Sequence, residues 1–154
     1  MRRILLLAVV SVVAFGLPLF AGSNEEVAKE VIAITKAQWA AEVAGEGVDA
    51  VMDITADEYT EFNQNAPTRL DGKALNMKVA EANAAASGKM VMGEMTNEKV
   101  QVHGDVAILT YNFIGATKDK DGVVEPVLAK STRVYAKMGG SWKLVHANFA
   151  AVGD

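Results

Sequence analysis

The sequence contains no cysteine, only two histidines and only three prolines among its 154 residues. Without cysteine the chain forms no disulfide and offers no thiol nucleophile or thiolate metal ligand, so its stability must come from its core. The two histidines, His103 and His146, lie far apart and in no His-x-x-x-His or His-x-His spacing, which disfavours a metal site. A Gly-x-Ser-x-Gly motif is also missing, which disfavours a serine nucleophile. We therefore predict neither a metal nor a cofactor.

Basic residues are in the minority as well. The chain has 15 Lys and Arg against 19 Asp and Glu, and its net charge is −4. Because two of the arginines stand at the very N-terminus, the rest of the chain is more acidic still. This balance disfavours a nucleic acid or an anionic membrane as the partner.

The N-terminal stretch "MRRILLLAVVSVVAFGLPLFAGS" is unlike the rest of the chain. Two arginines precede an apolar run from Ile4 to Phe20, and small residues follow, which is the pattern of a secretory signal peptide. Residues 1–23 are predicted to be this signal, with cleavage after Ser23 or, alternatively, after Ala21. An uncleaved membrane anchor remains the other interpretation, because the apolar run is just long enough to span a bilayer.

Residues 24–154 have the size of one ordinary domain. An exported chain without cysteine is more typical of a bacterial periplasm than of an animal secretory route. We therefore predict a periplasmic or secreted bacterial protein, with no stable membrane insertion once the signal is removed.

Helical patterns fill the first part of this domain. Ser23 and Glu26 have the spacing of a capping box, and apolar residues then recur at helical intervals up to a break at Gly45. A short second helix is predicted in "VDAVMDIT", followed by a strand in "DEYTEF" and a loop in "NQNAPTRLDG". A third helix is predicted over Lys73–Ser87, with Asp71 placed to cap it.

After the third helix the apolar period changes from 3.6 to 2. Four strands are predicted at about Met90–His103, Val106–Lys118, Pro126–Met138 and Ser141–Ala151. The short connections "HGD", "DKDG" and "GG" favour antiparallel pairing of consecutive strands. Helices followed by a β-meander predict an α+β fold, with the helices on one face of a curved sheet.

Both faces of this predicted sheet are largely apolar. Strict alternation in the last strand puts Trp142, Leu144, His146 and Asn148 on one face and Val145, Ala147 and Phe149 on the other. Because the helices can cover only one face, we predict a homodimer through the other, with His146 and Asn148 at the interface. The alternative is a curled sheet that covers part of its own outer face.

Several motifs carry a family resemblance. The stretches "ADEY", "LDGK" and "GDVAILTY", and above all "TRVYAKMGGSWKLVH", resemble the nuclear transport factor 2-like superfamily. Within it, the chain looks most like the SnoaL-like group and the calcium/calmodulin-dependent protein kinase association domain. The resemblance implies a cone-shaped fold in which three N-terminal helices pack on a strongly curved antiparallel sheet. Members include isomerases, dehydratases, cyclases, hydrolases, ligand binders and oligomerising domains, so the fold does not settle the function.

The resemblance also bears on single residues. It implies that Arg133 points into the cone and helps to hold an anionic ligand, although Phe149 stands where the association domain has a second arginine. The alternative is that Arg133 pairs with an Asp or Glu and braces the sheet. Asn63 stands where the isomerase branch places its base, so that chemistry loses its main residue, while Asp57 and Glu61 remain nearby.

Aromatic residues complete the candidate pocket. Apolar walls with a few polar tips are typical of small-molecule sites, but buried aromatic residues also simply pack in cores. The predicted ligand-binding residues are Trp39, Tyr59, Phe62, Tyr111, Arg133 and Tyr135. The resulting hypothesis is an exported domain that binds a small apolar or weakly anionic molecule, with isomerase, dehydratase or cyclase chemistry left open and no catalytic residue assigned. The alternative is a non-catalytic, homo-oligomerising association module.

Overall fold

The computed structural model describes residues 23–64 and 66–152. The predicted signal peptide lies outside the described residues, except for Ser23. Within the described ranges, no helix combines the length and the apolar character needed to cross a membrane.

Three helices form as predicted. They are α1 (Asn24–Ala44), α2 (Val48–Val51) and α3 (Lys73–Ser87). The capping box is confirmed, because the Ser23 side chain accepts from the Glu26 N–H while the Glu26 carboxylate accepts from the Ser23 N–H. Helix α1 ends at Gly45, whose φ of 74° is the left-handed conformation that glycine adopts at low cost. Asp71 does not cap α3, since Gly72 is its N-cap and Asp71 instead binds Arg69.

Six strands form one sheet. They are β1 (Thr55–Asn63), β2 (Leu70–Asp71), β3 (Lys89–His103), β4 (Val106–Lys118), β5 (Val124–Met138) and β6 (Ser141–Ala151). Their order across the sheet is β2-β1-β6-β5-β4-β3. The predicted α+β class and the four-strand meander are confirmed, but the sheet is not wholly antiparallel, because β1 pairs with β6 in parallel. The short strand β2 lies in the segment predicted as a loop.

A bulge in β6 changes which of its side chains face the core. Val134 pairs with His146 but the next residue, Tyr135, pairs with Leu144, so Val145 is an extra residue in β6. The expectation from strict alternation was therefore wrong for Trp142 and Leu144. Both are buried on the inner face together with Ala147, while His146 and Asn148 keep to the outer face.

The core lies between α1 and the inner face of the sheet. Helix α1 buries a stripe at intervals of three and four residues, as expected for the packed side of a helix: Val27, Val31, Thr35, Gln38 and Trp39. Against it pack the inward side chains of β4, β5 and β6, among them Leu109, Phe113, Tyr135 and Leu144. Two members of the α1 stripe, Thr35 and Gln38, are polar, and both belong to the candidate site described below.

Candidate functional site

Two neighbouring rows of side chains cross the inner face of the sheet. Strand register aligns one row as Leu109, Arg133, Ala147 and Glu61, and the next as Tyr111, Ser131, Phe149 and Asn63. We call these two rows, together with the α1 residues above them, the inner site. Since each row takes residues from β4, β5, β6 and β1, the site depends on the whole sheet.

Arg133 is the centre of the inner site and is only 6% exposed. Its Nε donates to the Tyr111 hydroxyl at 2.9 Å, and its Nη1 donates to the Gln38 side-chain oxygen. The guanidinium carbon lies 5.0 Å from the centre of the Trp39 ring, within the range of a cation–π contact. No ion pair to Arg133 occurs in residues 23–64 and 66–152. The expected Asp or Glu brace is thus replaced by an amide, a phenol and an indole ring.

The partners of Arg133 are themselves held in place by α1 and its neighbours. The Trp39 indole donates to the Tyr111 hydroxyl at 3.0 Å, so that oxygen accepts from both Trp39 and Arg133. The Gln38 amide nitrogen donates to the Val51 carbonyl at 2.9 Å, which turns the amide oxygen towards Arg133. These contacts leave the guanidinium little freedom to reorient.

A second pair of hydroxyls extends this network. The Thr35 hydroxyl donates to the Val31 carbonyl at 2.8 Å and lies 2.7 Å from the Tyr135 hydroxyl. Because the single proton of Thr35 is already committed, Tyr135 must be the donor in that pair. Burial lowers the pKa of Arg133, but the surrounding tyrosine hydroxyls outweigh it and raise the pKa above the usual value, so the side chain stays cationic.

Glu61 is the carboxylate that β1 brings to this site. One of its oxygens accepts from the Tyr59 hydroxyl at 2.7 Å, and the other accepts from the Asn63 amide at 2.8 Å. Burial raises the pKa of Tyr59, and the adjacent Glu61 charge raises it further. Only the small side chain of Ala147 stands between Glu61 and Arg133 in their row.

Glu42 is a site residue that the sequence reasoning missed. It is partly buried on α1, four residues after Gln38 and three after Trp39. Burial raises the pKa of Glu42, the Arg133 charge lowers it, and the Glu61 charge raises it again. The helical spacing from the buried stripe was the available signal. The inner site therefore contains one cation, Arg133, and two acidic groups, Glu42 and Glu61.

The structure brings together most, but not all, of the predicted ligand-binding residues. Trp39, Tyr111, Arg133 and Tyr135 meet in the inner site, and Tyr59 joins them through Glu61. Phe62 does not line it, because alternation along β1 turns Glu61 inward and Phe62 outward, where Phe62 is 50% exposed. The candidate acid Asp57 is exposed and takes no part, and the same holds for its neighbour Glu58.

His146 and Asn148 lie on the outer face, opposite Arg133. The His146 Nδ1 is 2.8 Å from the Thr60 hydroxyl, and the Phe62 ring meets the imidazole edge-on at 5.8 Å between ring centres. Arg133 pairs with Ala147, the neighbour of His146, so the two candidate residues point to opposite faces. They do not form a common site.

Two open depressions of the described surface are lined by residues other than Arg133. A groove of about 700 Å³ runs between α1 and the start of β3, past Trp39, Val43 and Met92. A smaller hollow of about 410 Å³ lies beside Asp53, Lys73 and Lys143. Within the described part of the chain, no group of three or more His, Asp and Glu side chains is placed to hold a metal ion.

One polar atom of the inner site has no partner. The Ser131 side chain is buried, and its hydroxyl makes no hydrogen bond within the described structure. Ser131 lies two residues before Arg133 on β5 and therefore on the same face. Its register partners on the neighbouring strands are Tyr111 and Phe149. Unpaired buried hydroxyls are uncommon, since each forgoes a hydrogen bond that water would supply.

Comparison with solved structures shows where this fold occurs. The association domain of C. elegans CaMKII superposes with a TM-score of 0.66 at 18% identity, covering 83% of this chain and 98% of that one. The S. rosetta CaMKII hub gives 0.67 at 23% identity, covering 87% and 100%. A candidate dehydratase of the NTF2-like family from Streptomyces avermitilis gives 0.73 at 16% identity, covering 86% and 100%. At these identities the likeness establishes the fold alone.

Sequence comparison narrows the family. A search of curated proteins gives no match. The model of the calcium/calmodulin dependent protein kinase II association domain, in contrast, matches residues 27–153. This match covers nearly all of the described residues. The chain therefore belongs to the calcium/calmodulin dependent protein kinase II association domain family.

Proposed function

We propose that the chain is a non-catalytic association domain that binds a second copy of itself through the outer face of its sheet. The main evidence is that this face presents large apolar side chains that the described chain does not cover. Their exposed fractions are 50% for Phe62, 37% for Val106, 40% for Ile114 and 48% for Leu128. Large exposed apolar side chains on one face are typical of a protein–protein interface.

The middle of the outer face supports this proposal. Strand register aligns Thr110, Thr132 and Asn148 in one row, and Ile108, Val134 and His146 in the next. These side chains are short, uncharged or apolar, and all but Asn148 are already partly buried. Such a surface can meet its own symmetry mate closely without burying a fixed charge. Two relatives named as an association domain and a hub agree with this function.

The test is a charge placed at the centre of the face. Thr132→Arg is expected to convert a dimer or larger assembly into a monomer, measured by sedimentation velocity, because two guanidinium groups would meet in an apolar contact. The matched control is Val123→Arg, at the exposed tip between β4 and β5. A wild-type monomer at high protein concentration, or an unchanged assembly in Thr132→Arg, would refute the proposal.

A second candidate function rests on the unpaired Ser131 hydroxyl. A small carboxylate lying beside it would give Ser131 an acceptor and give Arg133 the ion-pair partner that it lacks among the described residues. We propose short monocarboxylates as the probe class. Titration with butyrate is expected to shift the backbone amide NMR signals of Ser131 and Ala147, whereas butanol, the matched control, is not. Equal shifts with both compounds, or none with butyrate, would remove this candidate.

An enzyme that transfers protons would need an acid–base residue in the inner site in addition to Arg133 and Ser131. Glu42 is the best-placed acid–base residue, because burial raises its pKa and it faces Arg133 and Glu61. An enzyme of this kind should therefore lose turnover in Glu42→Gln while retaining butyrate binding. Retained turnover in that variant would exclude Glu42 as the acid–base group.

We also propose that the chain is exported, and the start of α1 bears on where its signal peptide is cleaved. Ser23 caps α1, so cleavage after Ala21 keeps the capping box, whereas cleavage after Ser23 removes it. We therefore propose cleavage after Ala21, which leaves Gly22 as the first residue. Intact mass of the protein recovered from a periplasmic fraction is the measurement. A mass that begins at Asn24, or recovery of the uncleaved chain in the membrane, would contradict the proposed cleavage.

A further inference from the structure

His146 is one of very few groups in this chain that can change charge near neutral pH. The sequence has two histidines and no cysteine, and imidazole is the side chain that titrates between about pH 5 and pH 8. His103 stands exposed at the end of β3, whereas His146 is partly buried in the middle of the outer face. A proton on His146 would therefore appear on the surface to which we assign self-association.

The side chains in contact with His146 are uncharged. One ring nitrogen, Nδ1, is 2.8 Å from the Thr60 hydroxyl, which can act as either donor or acceptor. The Phe62 ring stands 5.8 Å away, and Val134 is the register partner on β5. Apart from the Thr60 hydroxyl, these neighbours are hydrocarbon. None of these three neighbours carries a negative charge that would pair with an imidazolium.

His146 makes no ion pair within residues 23–64 and 66–152. Glu58, two residues before Thr60 on β1, is exposed and makes no ion pair in the described ranges. On β2, Asp71 is the register partner of Thr60, and its carboxylate pairs with Arg69. The other charged groups of the outer face near His146 are Lys130 of β5 and Lys143 of β6, and Lys143 donates to the Asp53 carbonyl at 3.1 Å. Glu42 and Glu61 lie on the opposite face of the sheet. The nearby carboxylates are thus exposed or paired with Arg69, and the nearby lysines share the sign of an imidazolium.

We propose that protonation of His146 weakens self-association, so that mild acid dissociates the assembly. This inference rests on the proposed association through the outer face. In a two-fold interface, each copy contributes the same residue. Formation of the interface at low pH would therefore bury two imidazolium ions without counter-ions. The associated state must then bind fewer protons than the free chain, and the dissociation constant rises as the pH falls. Because each copy releases at most one proton from His146 on association, the dissociation constant can rise by up to roughly tenfold per copy for each unit of pH.

The experiment measures the dissociation constant by sedimentation velocity at about pH 7.5 and about pH 5.5, the range in which imidazole titrates. The wild-type constant is expected to rise by roughly tenfold to a hundredfold on acidification. His146→Gln keeps a neutral polar side chain and should abolish this rise. The matched control is His103→Gln, which should keep the full wild-type pH dependence. Far-UV circular dichroism at both pH values checks that the fold persists.

The outcomes separate this inference from the function on which it rests. A wild-type monomer at both pH values would refute self-association itself. An assembly whose dissociation constant is the same at both pH values, or a pH dependence that survives in His146→Gln, would refute the proton linkage alone. Should His146→Gln fail to associate, NMR titration of the wild-type imidazole still decides. Its pKa must fall between dilute and concentrated samples, and an unchanged pKa overturns the proposal.

Discussion

The two faces of β5 differ in how fully the chain itself buries and hydrogen-bonds their side chains. On the inner face, the Arg133 and Tyr135 side chains are buried and hydrogen-bonded to α1 and β4. On the outer face, Thr132 and Val134 are only partly buried, and Leu128 is 48% exposed. The inner face is thus nearly complete within one chain, whereas the outer face leaves apolar area facing solvent. The difference indicates that stability depends mainly on the inner face and association on the outer one.

Adjacent residues of β5 give the strongest test of this contrast. Arg133→Ala is expected to destabilise the chain by about 3 kcal/mol, since it leaves the Tyr111 hydroxyl and the Gln38 amide short of partners and opens a void. Thr132→Ala, one residue away on the outer face, should cost less than about 0.5 kcal/mol. Urea unfolding at a concentration where the chain is monomeric measures both. Similar losses of unfolding free energy in the two variants would mean that stability does not depend mainly on the inner face.

Strand β4 offers a second pair, with a smaller effect. A Cβ at Gly115 would lie 2.5 Å from Cε1 of Phe113 and 2.9 Å from the Met92 carbonyl oxygen. The Phe113 ring cannot easily yield, because its centre lies 4.3 Å from that of Trp39. Gly115→Ala should therefore destabilise the monomer by about 2 kcal/mol through overpacking.

The outer-face counterpart of Gly115 is its neighbour Ile114, which is 40% exposed. Ile114→Ala should leave monomer stability nearly unchanged but raise the dissociation constant of the assembly. Thermal unfolding and sedimentation of both variants give the comparison. Strong destabilisation of the monomer by Ile114→Ala would show that the outer face also belongs to the core.

Local sequence pattern was sufficient for most of the fold. The apolar period of 2 and the short turns gave the meander strands to within two residues at their ends. The pairing of β1 with β6 could not be read in this way, because it joins segments distant in sequence. The extra residue at Val145 has no signature either, since an inserted valine looks like any strand residue. That one residue decides the face of Trp142 and Leu144.

The candidate site was less accessible to sequence reasoning. The resemblance suggested the inward direction of Arg133, but not its partners, because a distant glutamine or tyrosine carries no sign of the arginine that it meets. Glu42 was overlooked because glutamate on a helix is usually solvated, and only the packing of α1 against the sheet makes it a site residue. Phe62 was assigned inward from its aromatic character alone, although its position next to Glu61 in a strand gives the opposite face.

Glu42 gives the smallest and most specific prediction for the inner face. Burial, the largest influence, raises the pKa of its carboxyl, and the Glu61 charge adds to this while the Arg133 charge opposes it. A carboxyl whose pKa is higher in the folded than in the unfolded state favours folding while it is protonated. That contribution is complete below the pKa of an ordinary glutamate and is lost as the pH rises through the folded-state pKa.

Glu42→Gln removes this titration and keeps a side chain of nearly the same shape. The melting temperature of the variant should therefore equal that of the wild type near pH 4 and exceed it at pH 7, with the gap opening as Glu42 ionises. Differential scanning calorimetry across that range measures the gap. Glu46→Gln, on the exposed turn after α1, is the matched control and should show no such gap. A variant less stable than the wild type at pH 7 would mean that attraction to Arg133 outweighs burial, and that the inner face holds Glu42 as a structural counter-ion.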